Sequence, residues 1–230
     1  MARLTDMPFR EYASAVTTVP TPIEFGPPDM GGSLAMRAAR EPDASLTLTR
    51  PTPAAAFRAA RRMFLRGERV DMQALASQLG VSRTTLYRWT GDRNQLLSDV
   101  LWSLSNDVFE QAKADHPAHT GAERLLAIFR QHVGVLVSAR ALQVFLQQET
   151  QAALRILTSH EGGVHQRTVN ALAELYREEA QAGPFSPRAD VDSVAFAVVR
   201  VTEGFIYNDA IAAVQPQVER AAAIVALLLE

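Results

Sequence analysis

Residues 71–89 read DMQALASQLGVSRTTLYRW, and no other stretch restricts the fold of this chain as tightly. Asp71 supplies an N-cap, and Leu75, Ala76 and Leu79 follow at helical spacing. Gly80 tolerates a left-handed backbone, so it ends that helix, and Ser82 caps the next. With only a glycine turn between them, the two helices must cross closely, and the contact needs a small residue, Ala76. Leu75, Ala76 and Leu79 then share an inner face with Val81, Leu86 and Trp89. Ser82, Arg83, Thr84, Tyr87 and Arg88 are left on the outer face of the second helix.

That outer face has the chemistry of a major-groove reader. Arginine bonds guanine through two donors, hydroxyls bond bases or phosphates, and threonine methyls meet thymine. A capped helix start also offers backbone N–H groups to phosphate. The charge distribution agrees. The chain carries −2 overall, yet residues 50–93 hold nine arginines against three acids, a net of +6. The remainder has 14 basic and 22 acidic residues, so the positive charge is gathered where an anionic partner would sit. The plainer alternative is an ordinary helical hairpin with a solvated arginine-rich surface. Caps, spacing, inner face and basic outer face agree with each other, which favours the helix-turn-helix.

The rest of the chain reads as helices. Thr52 and Pro53 open one that carries Ala55, Ala56, Ala59, Met63 and Phe64 as far as Gly67. Asp92 opens a long one with Leu97, Leu101, Leu104 and Val108 on a stripe, ending before Pro117. Thr120 and Glu123 form a capping-box pattern ahead of Leu125, Leu126, Phe129, Val133, Leu136 and Val137. Helical stretches follow at about 139–159, 164–182 and 188–208, and a last one starts near Pro216. No alternating strand segment or internal repeat is present. The expected fold is all-α in three parts. Residues 1–51, with seven of the twelve prolines, form a mostly irregular extension, with a short helix possible at 34–40 and alternative starts at Met30 and Met36. Residues 52–96 form a three-helix DNA-binding domain, and residues 97–230 a second, helical domain.

Composition narrows the function classes. There is no cysteine, no apolar window of membrane-spanning length and no basic-then-apolar leader, so the reading is a cytoplasmic protein without a membrane role. No Gly-x-Ser-x-Gly elbow or phosphate-binding loop occurs, and an enzyme is not expected. Two histidine pairs invite a metal reading. His116 and His119 are split by Pro117, and His160 and His165 are five apart, roughly 140° around a helix. Neither has a clear third ligand, so neither metal nor cofactor is expected.

The stretch AAFRAARRMFLRGERVDMQALASQLGVSRTTLYRWTGDRNQLLSDVL resembles the DNA-binding domain of tetracycline-repressor-type (TetR) transcriptional regulators over about 50 residues from Thr52. Its LA…LGVS…TLY core and the basic Arg93 opening the next helix carry the likeness. The resemblance implies DNA contacts from Arg83, Thr84, Tyr87 and Arg88, with Tyr87 and Arg93 on phosphates. One position departs from the pattern. Thr90 stands where the family usually has an aromatic, which would loosen the packing beneath the second helix unless Trp89 compensates. RWTGDRNQLLSDVLWSLS further resembles the subgroup around a repressor of quorum-signal (lactone) degradation, which implies a lactone-like or acyl effector.

The resemblance also implies that residues 97–230 are a ligand-binding and dimerisation domain, with an effector pocket and a homodimer. Aromatics on inward-reading faces (Trp102, Phe129, Phe145, Tyr176, Phe196 and Tyr207), with Val133, are the candidate lining, though each would serve equally as plain core. Arg200 and Glu203 interrupt an apolar helix and would orient a ligand. The last helix is apolar on several faces (Ala221, Ala222, Ile224, Val225, Leu227, Leu228, Leu229), which suits a four-helix interface between two copies or packing within one. The expected function is a repressor released from double-stranded operator DNA by a small, largely apolar effector. The alternatives are an activator or an interaction module without operator binding.

Overall fold

The computed structural model describes residues 51–159, 163–183, 185–207 and 216–230. The irregular extension up to Arg50, the short helix at 34–40 and His160 lie outside the described residues. The described residues hold ten α-helices and no strand. These are α1 Pro53–Leu65, α2 Met72–Leu79, α3 Arg83–Thr90, α4 Arg93–Asp115, α5 Gly121–Ser138, α6 Arg140–Gln148, α7 Thr150–Thr158, α8 Val164–Ala182, α9 Val191–Ile206 and α10 Val218–Leu228.

The four expected caps of the N-terminal part are all formed. Thr52 Oγ1 accepts from Ala55 N at 3.1 Å. Asp71 Oδ1 accepts from Gln73 N at 2.9 Å and Ala74 N at 2.8 Å. Ser82 Oγ accepts from Thr85 N at 3.1 Å, and Asp92 Oδ1 from Gln95 N at 2.8 Å. Gly80 has φ of +64°, and Val81 N reaches back to Ala76 O at 3.1 Å, closing the turn between α2 and α3.

Three expectations need correction further along. Thr120 makes no side-chain cap bond. Instead the start of α5 is held from across the fold, where Glu179 Oε2 accepts from Gly121 N at 2.8 Å. The stretch 139–159 is two helices rather than one, broken at Glu149, whose backbone leaves the helical region at φ −133°, ψ 46°. The stretch expected from 188 opens later, at Val191, because Asp190 is the residue whose side chain caps it, accepting from Ser193 N at 2.9 Å.

One core runs the length of the described chain, and α4 threads it. At its start, Leu96, Leu97 and Val100 are buried together with Phe57, Phe64, Leu75 and Leu86 of the first three helices. Further on, Trp102, Phe109 and Ala112 join the core of α5 and α8. Leu86 is fully buried, and truncating such a leucine costs about 2–5 kcal/mol. Charge is also buried in pairs. Asp99, fully buried on α4, accepts from Arg167 Nη1 of α8 at 3.0 Å and from Gln95 Nε2 at 3.1 Å. Glu179 of α8 holds Arg124, which also donates to His116 O at 3.0 Å and Lys113 O at 3.2 Å. These pairs fix the register of α4 and α5 against α8 and leave neither carboxylate uncompensated. No single helix among the described residues is long and apolar enough to cross a membrane. Helices α5 and α6 reach that length only as a pair, bent by 57°.

Candidate DNA-binding face and ligand cavity

Helix α3 is anchored from behind and bare in front. Leu86 and Thr90 are fully buried, and Trp89 is half-buried against the same core. Ser82, Arg83, Thr84, Tyr87 and Arg88 are all exposed, with Thr84 and Arg88, two positions either side of Leu86, roughly 160° around the helix from it. The threonine at position 90 does not loosen this arrangement. Its small side chain is enclosed, and its hydroxyl lies 3.0 Å from Leu86 O and 3.1 Å from Gly91 O. Threonine closes the helix against its own backbone where a ring would fill space.

Arg93 is placed differently from the phosphate contact expected of it. Its Nε donates to Val70 O at 2.6 Å and its Nη2 to Glu149 Oε1 at 2.7 Å. The other Glu149 oxygen lies 3.7 Å from Arg69 Nε. The broken α6–α7 joint therefore grips the start of α4 and the α1–α2 loop together. Beside it, the Phe64 and Phe145 rings meet edge to face at 5.7 Å. This contact explains Phe145, which lies here and not in the cavity wall. Of the other head arginines, Arg61 bonds Ser103 and Asp107 on α4 and Arg66 pairs with Glu68, while Arg62, Arg83 and Arg88 are exposed.

The cavity lies in the C-terminal part, between α4, α5, α8 and α9, with α6 and α7 at one side. Its volume is about 80 Å³, roughly half that of an engineered cavity of about 150 Å³ that admits benzene. Of the candidate lining residues, Phe129, Val133 and Tyr207 are in its wall. Trp102, Phe145, Tyr176, Phe196 and Arg200 are not. Trp102 is buried in the α4 core, and Tyr176 stacks edge-on with Phe185 at 5.7 Å. Phe196 and Arg200 sit four apart on the outward stripe of α9, the guanidinium 5.4 Å from the ring. Val199, Thr202, Glu203 and Ile206 take the inward stripe. Arg200 turns back instead to Thr158 O at 2.9 Å and Glu203 Oε2 at 3.0 Å.

Sequence reasoning misses most of the polar part of the wall. His132 follows Phe129 by three on the same apolar stripe of α5, and a lone histidine there is the available signal. Its Nε2 lies 3.0 Å from Ser105 Oγ of α4, and burial pushes its pKa down to about 4, so the ring is neutral at pH 7. Tyr207 is held in its protonated form, first by burial and then by the nearby Glu203 charge. Thr168 and Thr202 donate to the backbone of their own helices, at 2.9 Å and 2.5 Å, which leaves their oxygens as acceptors. Glu203 Oε1 lies 2.8 Å from His165 Nδ1. The other histidine pair comes together after all, with the His116 and His119 rings edge to face at 5.7 Å. Among the described residues no group of three or more His, Asp or Glu side chains is gathered to hold a metal.

A three-helix head with one polar, basic helix face, joined through a single long helix to a helical body around a cavity, defines a DNA-binding transcriptional regulator. Residues 120–230 match the tetracyclin repressor-like C-terminal domain family. The structure of the R. erythropolis transcriptional repressor QsdR, from the TetR family, superposes with a TM-score of 0.72 at 27% identity, covering 76% of this chain and 93% of that one. Residues 120–230 thus fall in the tetracyclin repressor-like C-terminal domain family, and the described fold is that of a TetR-type regulator. The fatty acid degradation regulator FadR from Bacillus halodurans aligns at a TM-score of 0.47 and 16% identity, covering 76% of this chain and 92% of its own. FadR from Bacillus subtilis, solved in complex with stearoyl-CoA, aligns at 0.48 and 17%, covering 76% and 96%. Among curated proteins there is no sequence match.

Proposed function

We propose that this regulator is a cytoplasmic homodimeric repressor that leaves its operator when a small, largely apolar effector, such as a lactone or acyl compound, occupies the cavity. The observation that carries the reading is the single outward face of α3. Five polar or basic side chains are exposed there on a helix whose other side is locked into the core. The similar R. erythropolis protein is a repressor, which supports the sign of the response. Dimerisation is supported by α9 and α10. Phe196 is 48% exposed, Ile224 41% and Leu227 68%, and a second copy related by a two-fold axis would cover them. Two recognition helices would then reach half-sites about 34 Å, or a multiple, apart.

The release step follows from where the cavity is walled. Leu142 of α6 and Leu157 of α7 line it, and these two helices meet at Glu149, which grips Arg93 and Arg69 of the head. An effector larger than the existing space parts those walls and moves that grip. Taking the population from 1:99 to 99:1 requires the released conformation to bind the effector better by about 5.5 kcal/mol. The test is a gel shift with the DNA upstream of the protein's own gene. A specific complex is expected, its affinity falling steeply between about 50 and 200 mM salt. No specific, salt-sensitive complex would falsify the repressor reading.

A further inference from the structure

The cavity's charge pattern restricts what it accepts. One wall is apolar, with Leu101, Phe129, Val133 and Leu172 among its members. The other end gathers Ser105, His132, Thr202, Glu203 and Tyr207. Among the described residues no lysine or arginine is in the wall. The one full charge there among the described residues is the Glu203 carboxylate, 12% exposed, and it is already held from behind by His165 and Arg200. His132, the other titratable base, stays neutral near pH 7.

We infer that the effector is an uncharged amphiphile with a hydrogen-bond-accepting head, such as an ester-type or amide-type carbonyl, and that free carboxylates and ammonium ions are rejected. The inference rests on the ligand-binding reading above and narrows it. An anionic head would lose its water beside Glu203 with no cation to replace that water. A cationic head would meet a carboxylate whose two oxygens are already engaged by His165 and Arg200. A neutral carbonyl avoids both costs. Tyr207 keeps its proton and so has a hydroxyl to donate, while the Ser105–His132 pair offers a second polar contact.

The test uses the full chain and three probes of one length: methyl hexanoate, hexanoate and hexylammonium. Binding is followed at pH 7 by calorimetry and by thermal shift, without DNA. Methyl hexanoate is expected to bind at least tenfold more tightly than either ion. Tyr207→Phe, which removes one hydroxyl and keeps the ring, is expected to weaken the ester by roughly 3- to 10-fold. Glu203→Gln is expected to narrow the gap between hexanoate and the ester. Hexanoate or hexylammonium binding as well as the ester overturns the inference, and so does an ester that does not bind. Tyr207→Phe without effect overturns the placement of the head. The gel shift reports separately. An ester that binds but leaves the operator complex intact sinks the release mechanism and spares the ligand class, whereas an operator complex released only by the free acid does the reverse.

Discussion

Single side chains decide whether α3 is held and how it reads. Thr90 is fully enclosed and its hydroxyl is bonded to backbone, so Thr90→Tyr, although closer to the family pattern, is expected to overpack the site. Chemical denaturation should show a loss of about 1–3 kcal/mol. Gly80 has open space on the side where a Cβ would project, but its φ is +64°. Gly80→Ala should therefore cost only the backbone strain, about 1 kcal/mol by thermal unfolding. On the reading face, Arg83→Ala should relax base preference at one position per half-site by roughly 1–3 kcal/mol in competition binding. Uniform weakening across all DNA sequences would make Arg83 a phosphate contact instead. His132 gives a pH signature. Its folded pKa of about 4 lies below the ordinary 6.5, so the unfolded chain binds the extra proton as pH falls between those values. Its contribution is complete above 6.5 and lost toward 4, about 2 kcal/mol between pH 7 and pH 5. His132→Gln should flatten that slope in urea titrations.

Helix boundaries are legible where local chemistry sets them and opaque where distant chemistry does. Thr52, Asp71, Ser82 and Asp92 are caps that act over three residues, and each can be read from its neighbours. Glu179 is 58 positions from the Gly121 amide it holds, and no window of sequence connects them. Arg93 shows the same limit, since its partner Glu149 is 56 positions away. On α9 the expected ligand contacts at 196 and 200 are out of phase with the inward stripe that carries 199 and 203. An apolar helix interrupted by charge gives two plausible inward stripes, and only packing chooses between them. The α6–α7 joint is the element with the clearest consequence. Glu149→Gln keeps the shape and removes the charge shared by Arg93 and Arg69. Hydrogen exchange is expected to quicken in α1–α3 and at the α6–α7 joint while α8 and α9 are unchanged.

At the scale of the molecule, the division of charge into a positive head and a negative remainder orients the protein before it touches DNA. The apolar residues left outside on α10 belong to the same scale. Leu227→Asp, at 68% exposure, should leave the fold intact and shift a dimer toward monomer in light scattering, with operator affinity falling alongside. A dimer unaffected by this change would place the interface elsewhere.

The smallness of the cavity separates two properties that a sensor usually trades against each other. On the proposed ligand reading, which molecule is admitted depends on the cluster around Tyr207, Glu203 and His132. How much of it is needed depends on the work of spreading Leu142, Leu157 and their neighbours apart. Trimming one of those aliphatic walls would lower the concentration at which the switch trips without changing its selectivity. On that reading, the dose threshold is adjustable by methyl groups alone.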